Sequence, residues 1–325
     1  MRSSVFLLPF VATLICAAAS SSPNASVAGE PPAWAYPVPS PDFKSEADNG
    51  RIRRVPDSKA GYTLTQLRDR FLAPDWHPAD HPRMPAIVAH GRKPYVYACG
   101  FCHRADGPGG PENASLAGLP YAYIVRQMSD YKSGKRSTAL PERLPQASMI
   151  ALAKALADDE VQAAAKYFSS LKPRKNAHVV ETDRVPKTYA ANWVLAVREG
   201  AEKEALEHRI LETPENLERF ESRDTHATFI AYVPPGSLRE GSAIVHGQRA
   251  SIAPPCVTCH GEHLRGQGAV PSIAGRSPSY IVRQLYDFQT GVRNGRGALL
   301  MKPSVARLSA DDMISIAAYL ASLQP

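Results

Sequence analysis

The pentapeptide Cys-x-x-Cys-His occurs twice in this chain, at residues 99–103 and 256–260. Two thiols one helical turn apart can add to the two vinyl groups of a porphyrin, and the adjacent histidine is then held over the ring face, where it can bind iron. A single Cys-x-x-Cys is also compatible with half a zinc site or a redox dithiol. Two complete copies favour two covalently bound haem c groups, attached through Cys99, Cys102, Cys256 and Cys259.

The sequence around the two motifs is repeated at a constant offset of 157 residues. Past Arg136 the offset drops to 152, and it then pairs Met149 with Met301. A unit of about 85 residues is therefore duplicated, a plausible size for a small domain built around a cofactor, and each copy is expected to contain three helices. The matches at offset 157 include Ala86–Val88 with Ala243–Val245, Tyr123–Gln127 with Tyr280–Gln284, and Asp130, Gly134 and Arg136 with Asp287, Gly291 and Arg293.

The N-terminus has the pattern of a secretory signal peptide. Arg2 is followed by a largely apolar stretch from Val5 to Cys16 and by the small residues 17–19. The bulky Ile15 argues against lipid attachment at Cys16. We therefore expect residues 1–19 to be cleaved and the protein to be periplasmic, and a loose association with the membrane is compatible with this expectation. No later segment is apolar for long enough to predict a transmembrane helix.

The net charge of +7 and the isoelectric point near 9.1 favour acidic partners or an anionic membrane surface. The basic residues are dispersed along the chain, and no basic run is interleaved with aromatic residues. This pattern argues against nucleic acid as a partner.

Two segments lie outside the repeat. Residues 20–60 are rich in Pro, Ser, Ala and Gly, which predicts an extended tether or a poorly ordered arm. A proline-rich strap follows at residues 74–85, and we expect Trp76 to anchor it on the first haem unit. His77 and His81 in this strap have no evident third metal ligand, so we interpret them as solvent-facing.

The features of each half resemble those of a class I cytochrome c. The haem pentapeptide is followed by a methionine 46 or 41 residues past its histidine, and each half ends in Tyr-Phe-Ser-Ser-Leu or Tyr-Leu-Ala-Ser-Leu. As a tandem pair the chain is similar to the periplasmic dihaem cytochromes of the c-four type. The resemblance implies a mainly α fold with two tandem cytochrome c domains joined by an irregular, partly β-type insert. The expected parts are a signal peptide (1–19), an N-terminal arm and strap (20–85), a first domain (86–172), the insert (173–240) and a second domain (241–325).

The motif histidines, His103 and His260, are expected to bind iron on the proximal side. The resemblance implies a methionine thioether on the opposite side, and Met149 and Met301 are the methionines that correspond in the repeat. Arg126 and Arg283 could hydrogen-bond haem propionates, although an exposed helix face would explain them nearly as well. The other methionines (Met84, Met128, Met313) are expected in the core or the strap, and the other histidines (His90, His178, His208, His226, His246, His263) on the surface.

If each iron has both a histidine and a methionine ligand, no coordination position is open for a substrate. We therefore expect an electron carrier without catalytic residues. Its donor would be an exported dehydrogenase or a quinol-oxidising complex, and its acceptor a protein such as a terminal oxidase. One alternative is the cytochrome subunit of an exported dehydrogenase. Another is a dihaem enzyme of the peroxidase or thiosulfate dehydrogenase type, the latter using a cysteine or a second histidine on its working haem. Against the enzyme, no cysteine is spare and no histidine lies between Arg104 and Ala177.

Overall fold

Two helical units, each built around one pentapeptide, are joined by a segment that contains strands. A computed structural model describes residues 30–200 and 202–325. The predicted signal peptide (1–19), with Cys16, lies outside the described residues. Each helical unit has its own hydrophobic core. Within the part of the chain that the structure describes, no helix is both long enough and apolar enough to cross a membrane.

The arm that precedes the first unit packs against the rest of the protein. Its 3₁₀ turn at Ala33–Ala35 is followed by Tyr36, and Ala35 and Tyr36 are buried in the core of the second unit. The helix α1 (Leu64–Arg68) begins at a capping box on Thr63. The expectation of an extended tether or a poorly ordered arm over residues 20–60 is therefore wrong for residues 33–36.

The proline-rich strap is held by the arm and the insert. Trp76 is only 1% exposed and packs with Val55 and Leu67 of the arm. Its indole N–H donates a hydrogen bond to the carbonyl of Ser222, at 2.7 Å. The expectation that Trp76 anchors the strap on the first haem unit is therefore wrong, because its partners belong to the two segments outside the repeat.

The first unit has more helices than the three expected. Pro85 stands directly before the first of them, which lasts only one turn, and the helix that carries Met149 is an addition. The last helix begins with three carboxylates, which suit the positive end of the helix dipole. The helices are α2 (Ala86–Ala89), α3 (Cys99–His103), α4 (Tyr121–Lys132), α5 (Leu144–Ala155) and α6 (Asp158–Ser170).

The insert contains short strands and one short helix. A three-stranded sheet has the order β1-β7-β6, in which β1 and β7 are parallel and β7 and β6 antiparallel. The register pairs Ala177 with Phe229, so the two ends of the insert are joined. Two further antiparallel pairs are β2 with β5 and β3 with β4. The elements are β1 (Ala177–Glu181), β2 (Arg184–Pro186), β3 (Thr188–Ala191), β4 (Val194–Val197), β5 (Lys203–Ala205), β6 (Leu211–Pro214), α7 (Leu217–Glu221) and β7 (Phe229–Val233).

In the second unit, the first and last helices cross very closely. A Cβ atom at Gly241 of the first would lie 2.0 Å from the carbonyl oxygen of Ser315 in the last, so only glycine fits. A 3₁₀ turn at Ala298–Leu300 precedes Met301. The helices are α8 (Ser237–Val245), α9 (Val257–His260), α10 (Pro278–Gln289), α11 (Lys302–Val305) and α12 (Ala310–Ser322).

Candidate haem sites

The first pentapeptide forms the short helix α3. Both thiols and the imidazole therefore lie close together within little more than one helical turn. Nδ1 of His103 donates a hydrogen bond to the carbonyl of Ala114, at 2.8 Å. A carbonyl only accepts, so this contact fixes the proton on Nδ1 and leaves the Nε2 lone pair for a metal. Burial lowers the pKa of His103, against the opposing effect of the Ala114 carbonyl, and this favours the neutral form that iron binds.

The second pentapeptide repeats this geometry. Nδ1 of His260 donates to the carbonyl of Pro271, also at 2.8 Å. Burial again lowers the pKa of the imidazole, with the Pro271 carbonyl acting in the opposite direction. In both units the accepting carbonyl lies 11 residues past the histidine. The accepting carbonyl could not be predicted from the sequence, because any residue type can supply a backbone carbonyl. Here it belongs to Ala114 in one copy and to Pro271 in the other.

Burial makes three of the motif cysteines poor thiolates. Burial raises the pKa of Cys99 to about 12 and that of Cys256 to about 11. It also raises the pKa of Cys102, although Arg223 and Arg104 act against it. Zinc ligands and redox dithiols need an accessible thiolate at neutral pH. The zinc and dithiol alternatives therefore lose support.

A cavity of about 460 Å³ opens beside the first pentapeptide, a volume in the usual range of cofactor sites. Cys99, Cys102 and His103 line it, and Met149 of α5 faces the same space. Sulfur and imidazole donors around an apolar cavity are the set that a covalently attached haem requires, so the residues fit this cofactor. The apolar part of the lining includes Leu116, Ile124, Met128, Leu152, Leu156, Val161 and Phe168.

The two methionines expected as iron ligands occupy different local structures. Met149 lies within helix α5, whereas Met301 follows a 3₁₀ turn and directly precedes α11. Met301 is half-buried and packs against the same apolar cluster as Cys256. Iron ligation by either methionine stays a prediction. Met128 also lines the first cavity, so it is the natural control in that unit.

Residues far from the pentapeptide close the first cavity. Leu67 comes from the arm, Trp193 and Arg223 from the insert, and Tyr280 from the second unit. Arg223 donates hydrogen bonds to the carbonyls of Leu67 and Phe101, and its guanidinium lies 3.5 Å from the centre of the Phe101 ring. These lining residues could not be predicted from the sequence. They lie up to about 180 residues from the motif, and no local sequence pattern marks them.

The two units meet through residues that correspond in the repeat. Arg136 donates to Gln127 of its own unit and to Tyr280 and Gln284 of the other. Arg293 mirrors this arrangement, donating to Gln284 in its own unit and to Tyr123 and Gln127 across the interface. The backbone adds to it, because Ser137 donates to Val292 and Asn294 to Lys135. A pseudo-twofold interface thus fixes the units relative to each other.

The two arginines considered for haem propionates differ in their surroundings. Arg126 is exposed on α4. Arg283 is 1% exposed and donates to the carbonyls of Ala35 in the arm and Pro111 in the first unit. A contact of either arginine with a propionate stays a prediction. Among the arginines that line the first cavity, Arg136 is the one that recurs in the repeat.

The buried or hydrogen-bonded histidines are also informative. His77 is buried and contacts Asp224, so its interpretation as solvent-facing is wrong. The same interpretation is wrong for His81, whose side chain is 3% exposed and contacts Asp75 and the hydroxyl of Tyr167. His226 is half-buried and not fully on the surface, while His178, His208 and His246 are exposed as expected.

Known proteins resemble this chain in sequence and in structure. A family model described as Cytochrome c matches residues 88–172 and 244–324, which correspond to the two helical units. Cytochrome c4 from Azotobacter vinelandii is 26% identical over 231 residues, covering 69% of this chain and 84% of that protein. A protein named thiosulfate dehydrogenase electron acceptor, from Thiomonas intermedia (strain K12), is 24% identical over 239 residues, covering 70% of this chain and 80% of that protein. The solved structure of reduced recombinant cytochrome c4 from Pseudomonas stutzeri aligns with 23% identity and a TM-score of 0.46, covering 69% of this chain and 93% of that one.

Proposed function

The chain belongs to the cytochrome c family and holds two covalently bound haem c groups, and from this premise we propose that it carries electrons between periplasmic redox partners. The observation that carries the proposal is the matched pair of imidazoles. Each has its Nδ1 proton fixed by a carbonyl 11 residues later and its Nε2 free for iron. Two equivalent iron sites joined by a fixed interface suit transfer of electrons from one to the other.

Each haem has its own attachment residues and iron ligands. Cys99 and Cys102 hold the first haem and Cys256 and Cys259 the second, each pair through thioether bonds. His103 and His260 would bind the two irons through Nε2, and Met149 and Met301 would supply a thioether ligand to each. When bound, each haem iron stores one electron by alternating between the ferric and ferrous states. The haem domains span residues 86–172 and 241–325, and the arm and insert serve to enclose and join them.

Conservative variants of the methionines test this assignment. Met149→Leu and Met301→Leu keep apolar volume but remove the thioether. Each is expected to abolish the Met-to-iron charge-transfer band of one haem and to lower that haem's midpoint potential, because the thioether favours ferrous iron. Met128→Leu and Met313→Leu are the matched controls and should leave both properties unchanged. Loss of the band in Met128→Leu with Met149→Leu intact would show that the wrong methionine was assigned.

A more specific candidate is that the protein accepts electrons from an exported dehydrogenase. Two relatives are named thiosulfate dehydrogenase electron acceptor, and this name favours such a partner here. The purified protein mixed with thiosulfate alone should stay oxidised, and adding a thiosulfate dehydrogenase should reduce both haems. Reduction by thiosulfate alone, or steady turnover of peroxide, would identify an enzyme and contradict the carrier proposal.

A further inference from the structure

The strap and the insert meet at a cluster of metal-ligating side chains outside both haem sites. His77 comes from the strap, and Asp224 and His226 follow helix α7 in the insert. One ligand atom from each of the three lies within 4.8 Å of the other two. Nε2 of His77 is 3.0 Å from Oδ1 of Asp224, and the two imidazoles stack in parallel with their centres 3.7 Å apart.

We propose that His77, Asp224 and His226 bind a zinc ion that clamps the strap to the insert. Two imidazoles and one carboxylate form a ligand set typical of Zn²⁺, with water completing a tetrahedron. Ligand atoms on one tetrahedral zinc lie roughly 3.4 Å apart, given bonds of about 2.1 Å. The His77–Asp224 pair already has about this separation, and His226 has to turn out of the stack to bring its nitrogen to the ion.

The buried carboxylate of Asp224 lies at the centre of the cluster. The rings of His77 and His226 are parallel and stacked, so one of them has to turn before both can bind a single ion in their ring planes. The side chain of Asp224 is fully buried. Oδ1 of Asp224 accepts a hydrogen bond from the backbone N–H of His226, at 2.9 Å. This contact and the one from Arg219 fix the orientation of the carboxylate beside His77.

The neighbouring charges hold the ligands in place. Arg219 donates to Oδ2 of Asp224, at 2.7 Å, and leaves Oδ1 on the side of His77. Asp80 accepts from Nε2 of His226, at 2.7 Å, and Arg174 contacts Asp80 in turn. Metal-binding histidines commonly donate their second ring nitrogen to a carboxylate in this way. The contact with Asp80 leaves Nδ1 of His226 as the nitrogen that can bind a metal. The strap supplies Asp80 as well as His77, so it contributes a ligand and a supporting residue.

Metal analysis of the intact haem protein tests the site. Because the haems are covalently attached, EDTA can strip other metals and leave them in place. After dialysis against Zn²⁺ and removal of excess, we expect about one zinc per chain, measured against haem iron by mass spectrometry. Zinc K-edge X-ray absorption should report two imidazoles and oxygen ligands. Wild-type protein that retains no stoichiometric zinc would overturn the proposal without any variant.

Variants then locate the ion. His77→Gln, Asp224→Asn and His226→Gln should each weaken zinc binding by at least about 100-fold, with the haem spectrum reporting that the protein is folded. His81→Gln, in the same strap but turned toward Asp75, and His208→Gln, an exposed histidine beside Asp311, are the matched controls and should bind zinc as the wild type does. Zinc that survives His77→Gln or His226→Gln, or that is lost in a control, would place the ion elsewhere.

Discussion

At the scale of single residues, the paired arginines of the interface should be energetically coupled. Arg136 and Arg293 share the acceptors Gln127 and Gln284, so breaking one set of contacts weakens the other. Each arginine-to-glutamine substitution is expected to lower the free energy of unfolding by about 2 kcal/mol, and the double variant by less than the sum. Urea unfolding of the four proteins measures this. Arg126→Gln, on the exposed face of α4, should change stability by less than about 0.5 kcal/mol, and strictly additive effects would contradict the coupling.

Asp287 should make stability depend on pH. Its carboxylate accepts from the backbone N–H of Ala139, and burial raises its pKa to about 6 against the opposing effects of that N–H and of Arg136. An unfolded aspartate has a pKa of about 3.9, so between about pH 4 and pH 6 the folded protein binds more protons than the unfolded chain. The free energy of unfolding therefore falls as pH rises through this window, by up to about 3 kcal/mol.

Unfolding by urea across this pH range compares the wild type with Asp287→Asn. The variant should lose this part of the pH dependence, whereas Asp159→Asn, on the exposed N-terminal turn of α6, controls for loss of a carboxylate. Parallel pH profiles for wild type and Asp287→Asn would argue that Asp287 does not titrate in this range.

The sequence offers candidates where the chemistry is carried by side chains. The cysteines and histidines are predicted from a five-residue pattern, and Met149 and Met301 are predicted as iron ligands from the repeat together with the resemblance to class I cytochromes c. The carbonyls of Ala114 and Pro271 were not predictable, because their role depends on backbone position. Arg223 was not predictable either, since only tertiary folding brings it to Phe101.

At the scale of elements, the crossing of α8 and α12 depends on Gly241. A methyl group there would meet the carbonyl oxygen of Ser315 at 2.0 Å, and neither backbone can move without disturbing the core. Gly241→Ala is expected to lower the free energy of unfolding by about 3 kcal/mol, although alanine is the better helix former. Ser242→Ala, one residue later and half-buried, is the control and should be nearly neutral. Thermal unfolding compares them, and a stabilised Gly241→Ala would contradict the close crossing.

Helical periodicity predicted the existence of the main helices, but the local interruptions needed the structure. In the first unit, Pro85 shortens α2 to one turn, and the extra residues between Arg136 and Met149 form part of a new helix, α5. The apolar runs of the insert do lie in strands, but the parallel pairing of β1 with β7 was beyond prediction. Their contacts join residues about 50 positions apart, and such pairing depends on the whole fold.

At the scale of the whole molecule, the two segments outside the repeat help to enclose the first haem site. Residues of the arm and the insert line the cavity of the first unit, together with Tyr280 of the second. Similarity between the two copies of the repeat does not predict the arm and insert residues, because they belong to neither copy.

The net charge of +7 should govern how quickly the protein meets its partners. A basic protein attracts an acidic one over distances comparable to the Debye length, which shrinks from about 30 Å at 0.01 M salt to about 8 Å at 0.15 M. The second-order rate of electron exchange with an acidic redox protein should therefore fall at least about tenfold between these salt concentrations. Stopped-flow reduction measures this rate, and an uncharged small reductant is the control, because no long-range attraction acts on it.

A basic partner should show the opposite trend, with exchange becoming faster as salt screens the repulsion. Exchange with the acidic partner that is insensitive to salt would show that the dispersed positive charges do not steer the encounter, and that docking depends on short-range contacts alone.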